Sequence, residues 1–552
     1  MRSTRDILGS RVPVSPTQMP TEGSRRRSVM ICGIACIGMF SIGYEQGVMV
    51  IATASKSFLQ DFCVGYKGMT DDDCSFEEDA NSSNSDMPQS WTDFTYWMAN
   101  VVIIGYIVGA FVGALLADFV GRRWTIVTGM VLFSTTTLWV TLSPEGERDV
   151  ILVGRTFQGI AGGMYLIALP IYCVEIVARE FRGALAGFAQ VLITGGYLAG
   201  RQLMAKRETD TDWQIVYFKS IIPAVILAIG GIYLPESPRW LHMHMGKELA
   251  EITLKRVRDT WLVQHEMDAI ATQTLAVSDS LGWHTLINIS IIKRIFMVIA
   301  LQVFVLVSTL TASGLFASVV AIRKPQDFYD SIFGGVFPLY FVLQTISAGL
   351  AVGLMDYFGR RRLLLIGGIG MSLGHAITGI SVISDCEGEL LARTCDTSGS
   401  AVGILLGTFV VMLSLMICWT PTVWLYPAEI FPINVRAKAT GIASALSGTC
   451  VFWVRELFPK LAELSLVSFQ ICLAALLLVF LLCHETNRKL LEDTEELFPH
   501  GFPSKQQRNS LSTAITRNTT TTTTTRAWKT TRTSTTTQQT EAVVNSSPMQ
   551  AV

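Results

Sequence analysis

A chain of 552 residues would ordinarily divide into several soluble domains, but half of this one is hydrophobic, 16% is charged and the mean hydropathy is +0.42. Water cannot be the main solvent for so much apolar surface, so the composition describes an all-α membrane protein. The net charge of −1 gives no sign of nucleic-acid binding, and polar, Arg-rich Met1–Arg27 does not read as a secretory signal.

Apolar stretches of about 20 residues, each enough to cross ~30 Å of hydrocarbon as a helix, recur along the chain. They fall at 30–54, 96–118, 124–142, 150–177, 184–204 and 216–234, then at 293–321, 332–355, 363–383, 400–427, 438–458 and 466–483. Twelve spans in two sets of six imply an N-terminal tail over 1–29 and a six-helix bundle over 30–234. A polar helical linker domain over 235–292, a second bundle over 293–483 and a tail over 484–552 complete the order. The fifth and eleventh spans are the weakest, because Arg201 and the Arg455–Glu456 pair interrupt them. Glu492–Leu497 reads as a short helix, and the threonine runs around 519–537 have a composition that cannot build a core. Open strands are excluded at membrane depth, where backbone groups must be satisfied within a helix or closed barrel.

The positive-inside rule orients the spans. Arg25–Arg27, Arg122–Arg123, Arg179, Arg182, Arg360–Arg362, Arg436 and Lys438 fall on one side, and the acidic 55–95 loop falls on the other. Both termini are therefore expected in the cytoplasm, with the plasma membrane the expected location. Seven of the eleven cysteines sit in spans. The other four form two local pairs in outward loops, Cys63/Cys74 and Cys386/Cys395, where an oxidising exterior favours disulfides. Asn81 heads a glycosylation sequon on the same side, whereas Asn288, Asn518 and Asn545 head sequons placed inside.

One pattern is written twice. Asp118-x-x-Gly121-Arg122-Arg123 closes the second span and Asp356-x-x-Gly359-Arg360-Arg361 the eighth. Tyr172-x-x-Glu175, with Arg182 seven residues on, ends the fourth span; Tyr426-x-x-Glu429 with Arg436 ends the tenth at the same spacing. Glu236-x-x-Arg239 follows the sixth span and Glu485-x-x-Arg488 the twelfth. Three motifs in one order, at matching places in each half, indicate duplication. Guanidinium forks pair bidentately with carboxylates, and such pairs between the halves can hold the inner side shut in one state and part in another.

These residues resemble the sugar porter family of the major facilitator superfamily. The resemblance runs through GYEQGV, GALLADFVGRR, PIYCVEIVAREFRG, LPESPRWL, DYFGRR, WLYPAEIFPINVRAKATG and HETNRKLLEDTEELF, from about Ile34 to Phe498. It implies two pseudo-symmetric bundles of six transmembrane helices, a cytoplasmic helical domain at about 240–290 and a solute site near the bilayer midplane.

Ionisable groups inside spans are functional candidates by default, and Glu45 and Arg155 stand out. Proton-coupled members of the family carry an Asp where this chain has Glu45 and an Arg matching Arg155, which implies proton coupling; a static buried ion pair is the alternative. The resemblance also makes Gln190, Gln302, Thr311, Gln344 and Trp424 solute contacts. Gly159, Gly162 and Gly163 are read as helix-packing residues. Most of the polar residues that the resemblance implies for the second half are replaced: the family's seventh-span amides and tyrosines here read Val305-Leu306, Thr311 and Leu315-Phe316, and its eleventh-span Asn-Trp and Asn read Gly448-Thr449 and Phe452. Each lost hydroxyl contact costs about 1–3 kcal/mol on desolvation, so an amphipathic solute is expected to outcompete a hexose; the alternative is a hexose carrier in which water or side chains such as Gln302 and Gln344 restore the missing contacts.

The expected activity is secondary transport of a sugar, polyol or similar small solute by alternating access, as proton symport. A facilitative uniporter and a nutrient sensor on the same fold remain open. No metal-ligand spacing, nucleophile triad or phosphate loop appears, so neither an enzyme nor a cofactor is expected. The expected partners are the solute, protons and the lipid bilayer, with the chain a monomer.

Overall fold

The computed structural model describes residues 25–498 apart from 71–73, 75–87, 206–211, 261–262, 278–282, 323–333, 388–393, 396–397, 462–464 and 493. Asn81 and the threonine runs lie outside the described residues. The first six membrane helices are α1 Arg25–Ala52, α2 Gln89–Phe119, α3 Arg122–Thr141, α4 Arg148–Ile176, α5 Arg182–Ala205 and α6 Trp213–Gly231. The second six are α7 Ile289–Ile322, α8 Gly334–Phe358, α9 Arg360–Asp385, α10 Ser398–Ile430, α11 Arg436–Leu461 and α12 Ser465–Leu482. Among the described residues ten helices are long and apolar enough to cross a membrane. Interrupted α11 is not one of them, and the apolar part of α12, Phe469–Leu482, is shorter.

Close packing within each bundle follows from small residues. Gly105 and Gly109 of α2 meet the backbone of α4 around Gly159 and Gly163, with no room for a methyl group at any of the four. Gly162 departs from the packing role expected of it: nothing stands within 4 Å of the space a Cβ would take. In the second half Gly374 of α9 and Gly407 of α10 make the same kind of approach. The bundles meet along α2 with α11 and α5 with α8. The core of the second is continuous with Ala110, Ala114 and Ile171 of the first.

Helix α10 is not uniform. A π turn at Leu415–Trp419 separates Ser398–Ser414 from Thr420–Ile430. Pro421 stands two residues after it, and a proline inside a helix removes one backbone donor and crowds the carbonyl four residues back, here that of Ile417 within the turn. The widened turn accommodates both effects.

The linker between the bundles forms helices Pro238–His244, Lys247–Arg258 and Gln264–Val277 around a small core of Trp240, Leu241, Leu254 and Met267. The segment after α12 is not the loose tail that its polarity suggests. Its first part folds back onto the bundles: Tyr426 Oη donates to the His484 carbonyl (3.0 Å), and the His484 ring meets Phe498 edge-on. The expected helix at Glu492–Leu497 is a single 3-10 turn, Thr494–Leu497.

On the opposite face a short helix, Lys56–Phe62, covers the end of the first bundle. Asp61 accepts from Trp213 Nε1 (2.8 Å) and Gln214 Nε2 (2.7 Å). Arg148 donates to the Phe62 and Ser90 carbonyls and lies over the Tyr66 ring. Cys63 and Cys74 form a disulfide in this loop. In the second half Cys386–Glu387 and Thr394–Cys395 pair as a minimal antiparallel ladder that sets Cys386 opposite Cys395. Peptide mapping without reduction should recover both pairs, Cys63–Cys74 and Cys386–Cys395. Free thiols at these positions, or a bridge from one loop to the other, would contradict the register.

Candidate functional site

Both copies of the doubled motif build the same knot, on one face of the molecule. In the first, Glu236 accepts from the backbone N–H groups of Arg122 (3.0 Å) and Arg123 (3.1 Å), so a carboxylate caps the positive end of α3. In the second, Glu485 accepts from Arg360 N (2.9 Å) and Arg361 N (3.1 Å). Glycine is required beneath each carboxylate. Gly121 and Gly359 have φ of +109° and +86°, and a Cβ would stand 2.5 Å and 2.6 Å from a carboxylate oxygen. Burial is the strongest influence on Glu236 and pushes its carboxyl above the usual range, against its hydrogen bonds with Ser237 and Arg123 and the nearby Arg122 charge.

The side chains repeat as well. Arg122 pairs with Glu175 (3.1 Å) and Arg360 with Glu429 (2.9 Å). Ser237 donates to Glu175 and Thr486 to Glu429. Arg123 donates to the Leu234 carbonyl and Arg361 to that of Phe480. Trp240 Nε1 reaches the Asp118 carbonyl (2.8 Å), the place Asn487 Nδ2 takes at Asp356 (3.2 Å). Arg122 and Arg360 therefore tie each half to itself.

Other residues join the two halves. Arg436 Nη1 meets Glu175 at 2.9 Å with both side chains fully buried, and Lys438 meets Asp118 at 3.3 Å. Asp356 accepts from the backbone N–H groups of Gly183 (2.9 Å) and Ala184 (2.7 Å), and Arg182 donates to the Lys489 carbonyl (3.0 Å). Arg239 spans the linker and the folded-back segment, pairing with Glu492 (2.9 Å) while donating to the Glu175 carbonyl. Burial, the largest influence on Arg239, would lower its pKa; Glu492, Glu266 and Glu175 outweigh it and raise it.

A cavity of about 320 Å3 lies between the bundles, lined from α1, α2, α3, α4, α7, α10 and α11. Glu45 opens onto it and is ion-paired with Arg155, both almost wholly buried. Arg155 Nη1 also donates to Gln158 Oε1 (3.2 Å) and to Tyr217 Oη (3.4 Å), and Tyr217 Oη donates to Gln158 Oε1 (2.6 Å). Gln158 and Tyr217 were not singled out by the sequence. Gln158 sits three residues beyond Arg155 on one helical face, a signal that was available; Tyr217 comes from α6, and no local pattern points to it.

Of the expected solute contacts, Gln302 and Trp424 line the cavity, and so do Val305, Leu306 and Gly448 from the altered positions. Tyr106, Gln46, Ser444 and Ser447 supply polar lining that the sequence reading missed, and the space beside Gly162 opens here. Gln302 donates to Ser444 Oγ (3.3 Å), while its buried Oε1 has no partner among the described residues. Thr311 donates to the Val307 carbonyl of its own helix (2.7 Å). Gln190 and Gln344 are absent from the cavity wall; both direct Nε2 at the Met416 sulfur, at 3.8 and 3.6 Å. The side chains of Leu315 and Phe316 lie outside the described residues.

Two related six-helix bundles, each tied on one face by its own copy of a buried ion pair, bridged there by Arg436–Glu175 and Lys438–Asp118 and enclosing a cavity, define a membrane transporter of the major facilitator type. The chain belongs to the family described as Sugar (and other) transporter, which it matches over residues 31–498. It is 28% identical over 410 residues to the Glucose transporter GlcP of Staphylococcus epidermidis, covering 71% of this chain and 86% of that one. It is 26% identical to the D-xylose transporter of Levilactobacillus brevis, covering 72% and 86%. A structure of the proton:xylose symporter XylE bound to 6-bromo-6-deoxy-D-glucose shares the fold at a TM-score of 0.71 and 21% identity, over 86% of this chain and all of that one. An inward-open structure of XylE from E. coli, also 21% identical, has a TM-score of 0.56 over 85% of this chain and all of the other.

The geometry separates glycines held for the fold from one facing the cavity. Gly121→Ala should cost about 1–3 kcal/mol, through positive φ and displacement of the Glu236 cap, whereas Gly162→Ala should leave stability unchanged. Thermal denaturation of both variants in detergent reads this directly, and equal losses would contradict it.

Proposed function

We propose that the chain is a proton-coupled carrier that moves a sugar- or polyol-sized solute through the central cavity by alternating access. Family membership and relatives named as glucose and xylose transporters support the solute class. Coupling rests on one observation: Glu45 is buried, lines the cavity and is paired with Arg155. A proton reaching Glu45 from the cavity would neutralise it and release Arg155, which already has Gln158 and Tyr217 within reach. The guanidinium then keeps hydrogen-bond partners in both protonation states, which lowers the barrier to parting the pair. The motif face is the cytoplasmic one in this reading, by its excess of Lys and Arg, and the plasma membrane is the site of action.

The cavity also supports an amphipathic solute. Glu45, Gln46, Gln158 and Gln302 provide polar groups, and Val305, Leu306 and Val451, with Ile42, Val102 and Phe133 from the other half, apolar surface. A solute with one hydroxyl-poor edge leaves fewer groups unpaired there than a fully hydroxylated hexose.

Two outcomes test the mechanism. In proteoliposomes, Glu45→Gln should retain solute exchange and lose accumulation driven by a pH gradient. Leaving Arg155 without its counter-charge costs about 3–5 kcal/mol, so Glu45→Gln/Arg155→Gln serves as the folded control. Undiminished accumulation in both would remove Glu45 as the coupling residue, and exchange without pH-driven accumulation in the wild type would favour a uniporter holding a static ion pair. Separately, Arg436→Ala removes a bridge between halves that Arg122 and Arg360 do not supply. It should shift cysteine labelling towards a state open on the motif face; a shift the other way would contradict a closing role for this cluster.

A further inference from the structure

Gln190 of α5 and Gln344 of α8 belong to different bundles, yet both amides end on one atom. The Met416 sulfur accepts from Gln190 Nε2 at 3.8 Å and from Gln344 Nε2 at 3.6 Å. Met416 is 5% exposed and Gln190 8%. A thioether is a weak acceptor, so two N–H donors that could each bind a hydroxyl oxygen are occupied by a partner that satisfies them poorly. The side chain reaches this place from the π turn Leu415–Trp419, the one stretch of α10 with altered helical phase.

The cavity lies to one side of this cluster. Its wall draws on α1, α2, α4, α7 and α11, and takes from α10 Trp424, two turns beyond Met416. On that side a buried acceptor, Gln302 Oε1, is left without a partner among the described residues at the cavity edge. The cavity thus offers unspent hydrogen bonding near α7 and α11, while the amides of α5 and α8 are capped by sulfur.

We propose that Met416 is the specificity-determining residue of the solute site. It fills the volume beside Gln190 and Gln344, so the wild-type protein favours a solute that presents a hydrogen-only or methyl edge there. Replacing it with a small residue would release both amides to hydroxyl groups. The proposal rests on the carrier reading for its physiological meaning, but concerns binding and is testable without transport.

The experiment compares wild type, Met416→Ser and Met416→Leu with D-glucose and its monodeoxy derivatives. Binding is read by solute-dependent thermal stabilisation in detergent, and transport by counterflow in proteoliposomes. Met416→Ser should move the ratio of affinities towards glucose by about tenfold or more against at least one deoxy sugar, as expected when a polar site gains its matching hydroxyl. Met416→Leu keeps the volume and loses the sulfur, and should hold the wild-type ratio to within about twofold. Met416→Ala replaces the serine variant if that one does not fold. An unchanged ratio in the small-residue variant, an equal shift in the leucine variant, or no binding of any of these sugars to any of the proteins would each overturn the assignment. A shifted binding ratio without counterflow would uphold Met416 and instead remove the carrier reading.

Discussion

Glu175 is the constraint around which the motif face is organised. Its carboxylate has no solvent exposure and receives Arg122 from its own half, Arg436 from the other and the Ser237 hydroxyl from the linker, while Arg239 takes its backbone carbonyl. A charge buried this deeply is tolerable only when every lone pair is met, and removing one partner of such a cluster is far costlier than removing an exposed pair. Its counterpart Glu429 receives Arg360 and Thr486, both from the second half. Arg182 matches Arg436 in the sequence, but donates to the Lys489 carbonyl. The duplication holds within each half and is modified where the halves meet: Arg436 reaches Glu175 directly and Lys438 meets Asp118 through its side chain, whereas Asp356 takes the backbone of Gly183 and Ala184.

The cavity draws on both halves. A hexose-binding reading would spread amides around the solute, whereas here the side-chain amides of the lining are Gln46 and Gln158 from the first half and Gln302 from the second, with Tyr106, Ser444 and Ser447 adding hydroxyls. Val305, Leu306 and Gly448 occupy positions where the family resemblance leads one to expect amides. Met416 accounts for the silence of Gln190 and Gln344, since it supplies their hydrogen-bond partner from within the protein.

Much of this was legible in the order of residues. Twelve apolar runs, a doubled set of motifs and their spacing were enough to give the two-bundle fold, because hydrocarbon permits so few backbone solutions. The Glu236 and Glu485 caps were not legible as caps, since a carboxylate and the helix end it satisfies are more than a hundred residues apart. The polar opening of 484–498 read as tail; its anchors are Tyr426, Arg239 and Glu429, which no local pattern connects to it.

The sequence by itself determined that the chain crosses a membrane many times, that it is duplicated, and that Glu45 and Arg155 are ionisable groups placed inside spans. These follow from composition and periodicity, which act over a few helical turns. Tertiary structure decided which charges pair across the halves, that Gln158 and Tyr217 complete the Arg155 network, and that Gln190 and Gln344 face a sulfur and not the cavity. Those outcomes depend on how separate helices are rotated against one another. A rotation is set by packing at every contact along a helix, such as the π turn ahead of Pro421, and is written in no single segment.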